Sequence, residues 1–411
     1  MKDKVNKAPP FSFQLKSAIP YLLSVWAGNS LKNEKIANPA IQYLVFETLR
    51  DFGWGEFILQ KLAPKGVANL KIKALLLISF SFLRLNPTRS FMLVDQSVAA
   101  AKNISPRLSG FVNAVLRNFL RQQNELNKTI QSDEIAFFKH PKWWIKHLKK
   151  DYPNTWQEIL INGNRASSMA LRINPLKTNL KTYKNILFEK NIPFTVENNE
   201  ALLLEKAIPS ANLPFFNEGF CHIQDLGAQS VWDFLKELKN ENALDMCAAP
   251  GGKAALWLEN VPNLHLTALE IDKKRTQDLK NYLKKYNLNA RIIQMDCLQF
   301  ESNTPFDSIL CDCPCTGSGV VGRHPDAKWV KQESDIQKFA NLQNQILQKA
   351  WQLLKTGGRL IFATCSVFKL ENEYNIAAFL ENEKSAKMIN QKTILPSIKN
   401  DGFFYALLEK R

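Results

Sequence analysis

The stretch Ala243-Leu244-Asp245-Met246-Cys247-Ala248-Ala249-Pro250-Gly251-Gly252-Lys253 decides the fold of the C-terminal half. Ala243–Met246 is mostly apolar and short, as a buried strand is, and the paired glycines turn the chain into a helix. Glycine there lets backbone amides come close to a ligand, and a helix N-terminus favours a carboxylate or phosphate. The turn has neither the Walker pattern Gly-x-x-x-x-Gly-Lys-Ser/Thr nor the dinucleotide fingerprint Gly-x-Gly-x-x-Gly. Any tight strand-to-helix turn uses glycine, so the surroundings must decide what this one does.

Downstream, strands and helices alternate. Leu264–Leu269 reads as a second strand, Arg275–Tyr286 as a helix, Arg291–Gln294 as a third strand and Ser308–Cys311 as a fourth. Ile336–Leu354 is a long amphipathic helix, stopped by Gly357-Gly358 before a fifth strand, Leu360–Ala363. This predicts a Rossmann-like, doubly wound parallel sheet that takes its ligand at the carboxyl ends of the strands. Glu270, Asp296 and Asp312 end the second, third and fourth strands. One such acid is usually a turn or cap residue; three on one edge favour an adenosine-containing ligand, with Glu270 placed for the ribose hydroxyls. Without a phosphate loop, S-adenosylmethionine fits better than a nucleoside triphosphate.

Upstream, residues 1–130 read as a helical bundle. Val45, Leu49 and Phe52 recur at helical spacing, as do Leu75, Phe80, Leu83 and Leu85, and Phe111, Val115 and Phe119 lie one turn apart after Ser105-Pro106. Residues 131–215 read as a small α+β linking module, with helices around Trp143, Trp144 and Trp156 and short strands at Ala170–Ile173, Pro193–Val196 and Ala201–Leu204. The catalytic α/β domain would span 216–411. The net charge of +16 is uneven: through residue 130 there are 18 Lys and Arg against 7 Asp and Glu. Such a field captures a polyanion, and Arg107, Arg117, Arg121 and Lys128 mark the basic helical face. No run approaches the roughly 18 apolar residues of a membrane helix. Met1–Pro10 has no signal-peptide pattern, so the expected compartment is the cytoplasm.

Seven cysteines in such a compartment point to catalysis or metal rather than disulfides. Cys221, Cys247, Cys297 and Cys311 fit ordinary core positions. Cys311, Cys313 and Cys315 lack zinc spacing and a partner pair, so no metal is expected. Asp312-Cys313-Pro314-Cys315 follows the fourth strand and Thr364-Cys365-Ser366 the fifth, and adjacent parallel strands would bring the two loops together. A cytosine C5 is too poor a nucleophile to take a sulfonium methyl unaided. Thiolate addition at C6 makes it enamine-like, after which the C5 proton and the thiol must leave. This needs an activated cysteine (a free thiol has a pKa of about 8.5), an acid near N3 and N4, and a second group for elimination. The residues alone leave the attacker open between Cys315, which sits in a Pro-Cys loop like that of DNA cytosine methyltransferases, and Cys365.

These loops resemble the Nop/Sun family of RNA cytosine-5 methyltransferases in Cys-Ala-Ala-Pro-Gly-Gly-Lys, Asp-x-Pro-Cys and Thr-Cys-Ser. The runs Arg323-His324-Pro325-Asp326-Ala327-Lys328-Trp329 and Asp401-Gly402-Phe403-Phe404-Tyr405-Ala406 also match. Phe111-Val112-Asn113-Ala114-Val115-Leu116-Arg117 and His140-Pro141-Lys142-Trp143 resemble the NusB-like RNA-binding domain of one bacterial branch. The resemblance implies Cys365 as nucleophile, Cys315 in proton loss and release, Asp312 near cytosine and cofactor, and Lys253 near the base. It implies that Cys247, Ala248, Ala249, Pro250, Gly251, Gly252, Lys253, Glu270, Asp296 and Asp312 hold S-adenosylmethionine, and that small-subunit ribosomal RNA is the acceptor of a monomeric enzyme. Two positions depart from the pattern: Cys313 replaces an alanine, placing a third thiol beside the site, and Glu270 replaces an aspartate.

A base entering such a pocket must be unstacked. Arg323, His324, Lys328 and Trp329 are candidates to grip flanking nucleotides. Competing readings are a transfer RNA cytosine-5 methyltransferase, a small-molecule or protein methyltransferase, which would need no covalent thiol, and a non-catalytic RNA-binding assembly factor.

Overall fold

The computed structural model describes residues 10–411 apart from 35, 37, 198–200 and 239–241. The signal-peptide expectation for Met1–Pro10 therefore lies, through residue 9, outside the described residues. Two compact units form: one runs to Asn164 and includes Arg323–Gln332, and the other comprises Arg165–Gly322 and Glu333–Arg411.

The first unit is helical. Its longer helices are Phe11–Trp26, Pro39–Arg50, Phe52–Leu62, Leu70–Leu85, Ser90–Ile104 and Ser109–Ile130, with shorter ones at Glu134–Phe138, Lys142–Asp151 and Trp156–Gly163. Asn38 and Asn69 start two of them by accepting hydrogen bonds from the next turn's amides, a cap worth about 1 kcal/mol. Leu75, Phe80, Leu83, Val115 and Phe119 are buried, and Phe119 meets the Phe80 and Trp54 rings at 5.1 and 5.9 Å. Within the expected helical region, the helix Phe11–Trp26 buries a stripe of Leu15, Ala18, Ile19, Leu22 and Val25.

Domain limits differ from the expected 130/131 boundary. The helix that carries Trp143 and Trp144 falls in the first unit, and so does Arg323–Gln332, which was expected within the catalytic domain. The reason is local: Asp326 accepts hydrogen bonds from Ser30 Oγ at 2.8 Å and from the Leu31 amide at 2.9 Å.

In the second unit, β1 (Met169–Ile173), β2 (Phe194–Val196), β3 (Leu202–Leu204) and β4 (Cys221–Ile223) form an antiparallel sheet of order β2-β3-β1-β4. The helix Leu180–Glu189 buries Tyr183 and Leu187 against it. β4 falls beyond residue 215, the limit expected for this module, because Ile173 pairs with Cys221.

The larger sheet contains β5 (Asn242–Asp245), β6 (His265–Glu270), β7 (Arg291–Gln294), β8 (Phe306–Asp312), β9 (Leu354–Thr364), β10 (Ala386–Ile394) and β11 (Phe403–Lys410), in the order β10-β11-β9-β8-β5-β6-β7. β5 to β9 are parallel, as the alternation predicted. β11 inserts antiparallel between β9 and β10, so the sheet is mixed rather than wholly parallel. Successive strands run outward in opposite directions from β5 and β8. The crevice at this switch, beyond the strands' carboxyl ends, is where such sheets take ligands.

Candidate active site

Asp312 at the end of β8 pairs in register with Ala363 of β9. The loops that follow therefore leave neighbouring strands at the same level, and the Cys315 and Cys365 sulfurs come within 3.3 Å. Cys315 is pushed well above the usual thiol pKa, first by its hydrogen bond with Cys365 and then by burial.

Lys253, on the first turn of the helix Gly252–Asn260, reaches across β5 to β8 and places Nζ 2.6 Å from Asp312 Oδ2. Burial lowers the lysine's pKa, but the Asp312 carboxylate more than offsets it, and the net shift is upward. Lys253 is a charged donor at neutral pH. The Asp312 side chain remains 31% exposed.

The cofactor turn is built for close approach. Gly251 has φ +107°, and a Cβ there would lie 2.8 Å from Leu279 Cδ1. No side chain caps the following helix. On β6, Glu270 is buried; one oxygen accepts the Asp272 amide at 3.0 Å. The other lies 3.1 Å from Arg275 yet receives no hydrogen bond. A buried carboxylate oxygen that receives no hydrogen bond fits a ribose hydroxyl, and the uncapped helix N-terminus fits the amino-acid end of S-adenosylmethionine. Asp296 is half-buried and spends one oxygen capping the Leu298 amide at 3.0 Å.

Several expected residues sit differently. Cys247 is half-buried, and its side chain packs against the core cluster that contains Cys297. Cys313 does not line the thiol pair: it is buried in the same apolar core as Cys311, and burial holds its pKa well up. Lys328 was expected to grip RNA, but it is fully buried, with Nζ donating to the Arg50 and Lys139 carbonyls and to Asn164. Trp329 also turns inward, donating its indole N–H to the Leu49 carbonyl at 2.8 Å and meeting Phe52 edge-on at 4.8 Å. Arg323 and His324 are half-buried. Asp245, missed from sequence, is buried at the end of β5; burial, with help from Asp312, raises its pKa to about 7. The acid-at-strand-end pattern that picked out Glu270 would have found it.

Comparison with known proteins matches this geometry to a family. The 16S rRNA methyltransferase RsmB/F family matches residues 233–409, and the RsmF/B-like ferredoxin-like domain matches residues 140–211. Ribosomal RNA small subunit methyltransferase B of Proteus mirabilis is 36% identical over 384 residues, 90% of each chain. Its Vibrio cholerae counterpart is 37% identical over 348 residues, covering 82% of this chain and 80% of that one. The chain belongs to the RsmB/F family of 16S rRNA methyltransferases.

As a family member it is an S-adenosylmethionine-dependent methyltransferase. The fold is shared with a methyltransferase homologue from Pyrococcus horikoshii, 24% identical with a TM-score of 0.61, covering 68% of this chain and 98% of that one. It is shared equally with NSun6 of the same organism, 19% identical with a TM-score of 0.59, covering 66% and 98%. Among the described residues no helix is long and apolar enough to cross a membrane.

Proposed function

We propose that this protein methylates C5 of one cytosine in 16S ribosomal RNA of the small subunit, with Cys365 as nucleophile and Cys315 as the releasing group. The observation that carries the reading is the 3.3 Å approach of the two sulfurs beside the Lys253–Asp312 pair. Methyl transfer to oxygen or nitrogen needs no such pair of thiols.

Cys365 thiolate adds to C6, and the electron pair moves into the ring, making C5 nucleophilic. The Lys253 ammonium, held by Asp312, faces the negative charge that develops at N3, while the Asp312 carboxylate accepts from the N4 amino group, so each polar group of the base edge meets a preorganised partner. S-adenosylmethionine supplies the electrophilic methyl, with residues 247–253, Glu270, Asp296 and Asp312 as its holding set. The C5 proton then passes to a base, the role we give to Cys315 as thiolate; the C5–H bonding pair restores the double bond, and the C6–S pair leaves with Cys365 as thiolate. The exposed Arg107, Arg117, Arg121 and Lys128 bind phosphates. Arg323 and His324 remain RNA candidates; Lys328 and Trp329 do not. We place the enzyme in the cytoplasm, as a monomer.

The test is transfer of labelled methyl from S-adenosylmethionine to deproteinised small-subunit RNA, with 5-methylcytosine mapped in wild-type and deletion-strain RNA. Label at one cytosine that is unmodified in the deletion strain is expected. Absent transfer would favour a non-catalytic assembly factor, and label on transfer RNA alone would change the acceptor.

A further inference from the structure

Six residues beyond Cys365 lies Glu371, an acid that the chemistry above does not use. It is fully buried, where an unpaired carboxylate is costly. Its donors explain how it is kept there. Oε1 accepts from Thr316 Oγ1 at 2.5 Å and from Ser366 Oγ at 2.6 Å. Oε2 accepts from the Thr316 amide at 2.8 Å and from Gln343 Nε2 at 3.1 Å. Thr316 follows Cys315 and Ser366 follows Cys365, so one carboxylate holds the residue after each thiol. Burial pushes its pKa up, while the four donors pull it back.

The surroundings tighten the same joint. Gln343 also donates to the Pro314 carbonyl, just before Cys315, at 2.8 Å. Ser318 and Ser366 hydroxyls meet at 2.9 Å, and the Gly319 amide donates to the Cys365 carbonyl at 2.8 Å. Asn372 donates to the Ser366 carbonyl at 2.8 Å and meets Thr364 Oγ1 at 2.5 Å. Every bond in this set runs to a residue of one cysteine loop or joins the two. Merely satisfying a buried acid would not require that its donors flank both thiols.

We propose that Glu371 is a positioning residue that sets Cys315 and Cys365 in register by clamping Thr316 and Ser366 on one carboxylate. It touches neither substrate nor sulfur. The proposal rests on reading the two thiols as the reacting groups, and it assigns the geometry of that pair to a third side chain.

The experiment compares the full-length parent with Glu371→Gln, which keeps the shape but replaces an acceptor oxygen with a donor. The first readout needs no methyl transfer: the equilibrium of the Cys315–Cys365 dithiol with oxidised glutathione, two thiols giving one disulfide and two reduced glutathiones, read at these residues by differential alkylation and mass spectrometry. Loss of register should lower that constant about tenfold or more. The second is kinetic: kcat should fall about 100-fold, as for a misplacement of about 1 Å. KM for RNA and Kd for S-adenosylhomocysteine should stay within about threefold, because the clamp touches neither. Should Glu371→Gln fail to fold, Ser366→Ala and Thr316→Val each remove one hydroxyl donor to Glu371 Oε1, and their effects on kcat should be less than additive because both act through Glu371. An exchange constant within about twofold of the parent's, or one that falls while kcat holds, overturns the proposal. A parent that transfers no methyl to RNA overturns the proposed activity instead, and the exchange constant still tests the clamp.

Discussion

Lys253 Nζ and Asp312 Oδ2 meet at 2.6 Å, joining the helix after β5 to the end of β8 across the point where the sheet reverses its order. The pair ties the cofactor turn to the cysteine loop through one charge-assisted hydrogen bond, and the Phe403 ring lies 5.4 Å from the same ammonium. A change at either residue is therefore felt at both.

Replacing Asp312 by Asn should lower kcat by about 100- to 1000-fold, the scale for losing one preorganised electrostatic group. It should also alter the pH profile. Burial lowers the Lys253 pKa and Asp312 raises it, so without the carboxylate the ammonium must lose its proton at lower pH than in the parent. A basic limb of kcat against pH that moves downward in Asp312→Asn is the expected result; an unmoved limb would remove Lys253 from the titrating machinery.

Glu270 carries the ribose assignment. Glu270→Ala should weaken S-adenosylhomocysteine binding about 10- to 100-fold, equivalent to losing about 1.5–3 kcal/mol of hydrogen bonding to a charged acceptor. Calorimetric titration measures this without RNA. Binding unchanged within error would place the ribose elsewhere.

Four exposed cations and the buried Lys328 should behave oppositely. Charge removal at Arg107, Arg117, Arg121 or Lys128 should weaken RNA binding and reduce the slope of log affinity against log salt by about 0.7–0.9 for each phosphate no longer neutralised. Lys328→Ala should leave that slope unchanged and lower the melting temperature, since it strands the Arg50 and Lys139 carbonyls and Asn164 at about 1–3 kcal/mol. A salt slope altered by Lys328→Ala would show that the side chain reaches RNA after all.

Acid should loosen the second unit through His222. The ring is buried between Tyr282 Oη at 2.6 Å and Glu259 Oε1 at 2.7 Å, and burial lowers its pKa to about 4. The unfolded chain binds a proton near pH 6.5 that the folded chain refuses until about pH 4, so stability must fall as pH drops through that window. Glu259, whose folded pKa is also lowered, adds in the same direction. His222→Gln should flatten the decline in melting temperature between those values.

Much of this site was legible in the sequence because strand-end acids and the glycine turn are local signals. Glu270, Asp296 and Asp312 each end or closely follow a short apolar strand, β6, β7 and β8, that can be read from sequence. What lay outside reach depended on distant partners. Lys328 reads as a surface cation because nothing near it in sequence announces Asn164 or the Arg50 carbonyl. Glu371 was not singled out in the sequence, since its donors Thr316 and Gln343 lie 55 and 28 residues away. β11 is a buried apolar run whose antiparallel direction is set by pairing with β9, a fact that no local pattern carries. Cys313 looked like a third active-site thiol because its neighbours in sequence are active; strand alternation turns it into the core.

The division of labour between the two thiols is the centre of the account, and trapping on RNA tests it most directly. Cys315→Ala should accumulate a covalent RNA adduct that survives denaturing gel electrophoresis, because Cys365 still attacks C6 and release is impaired. Cys365→Ala should form none. An adduct in Cys365→Ala and none in Cys315→Ala would contradict the assignment and make Cys315 the nucleophile.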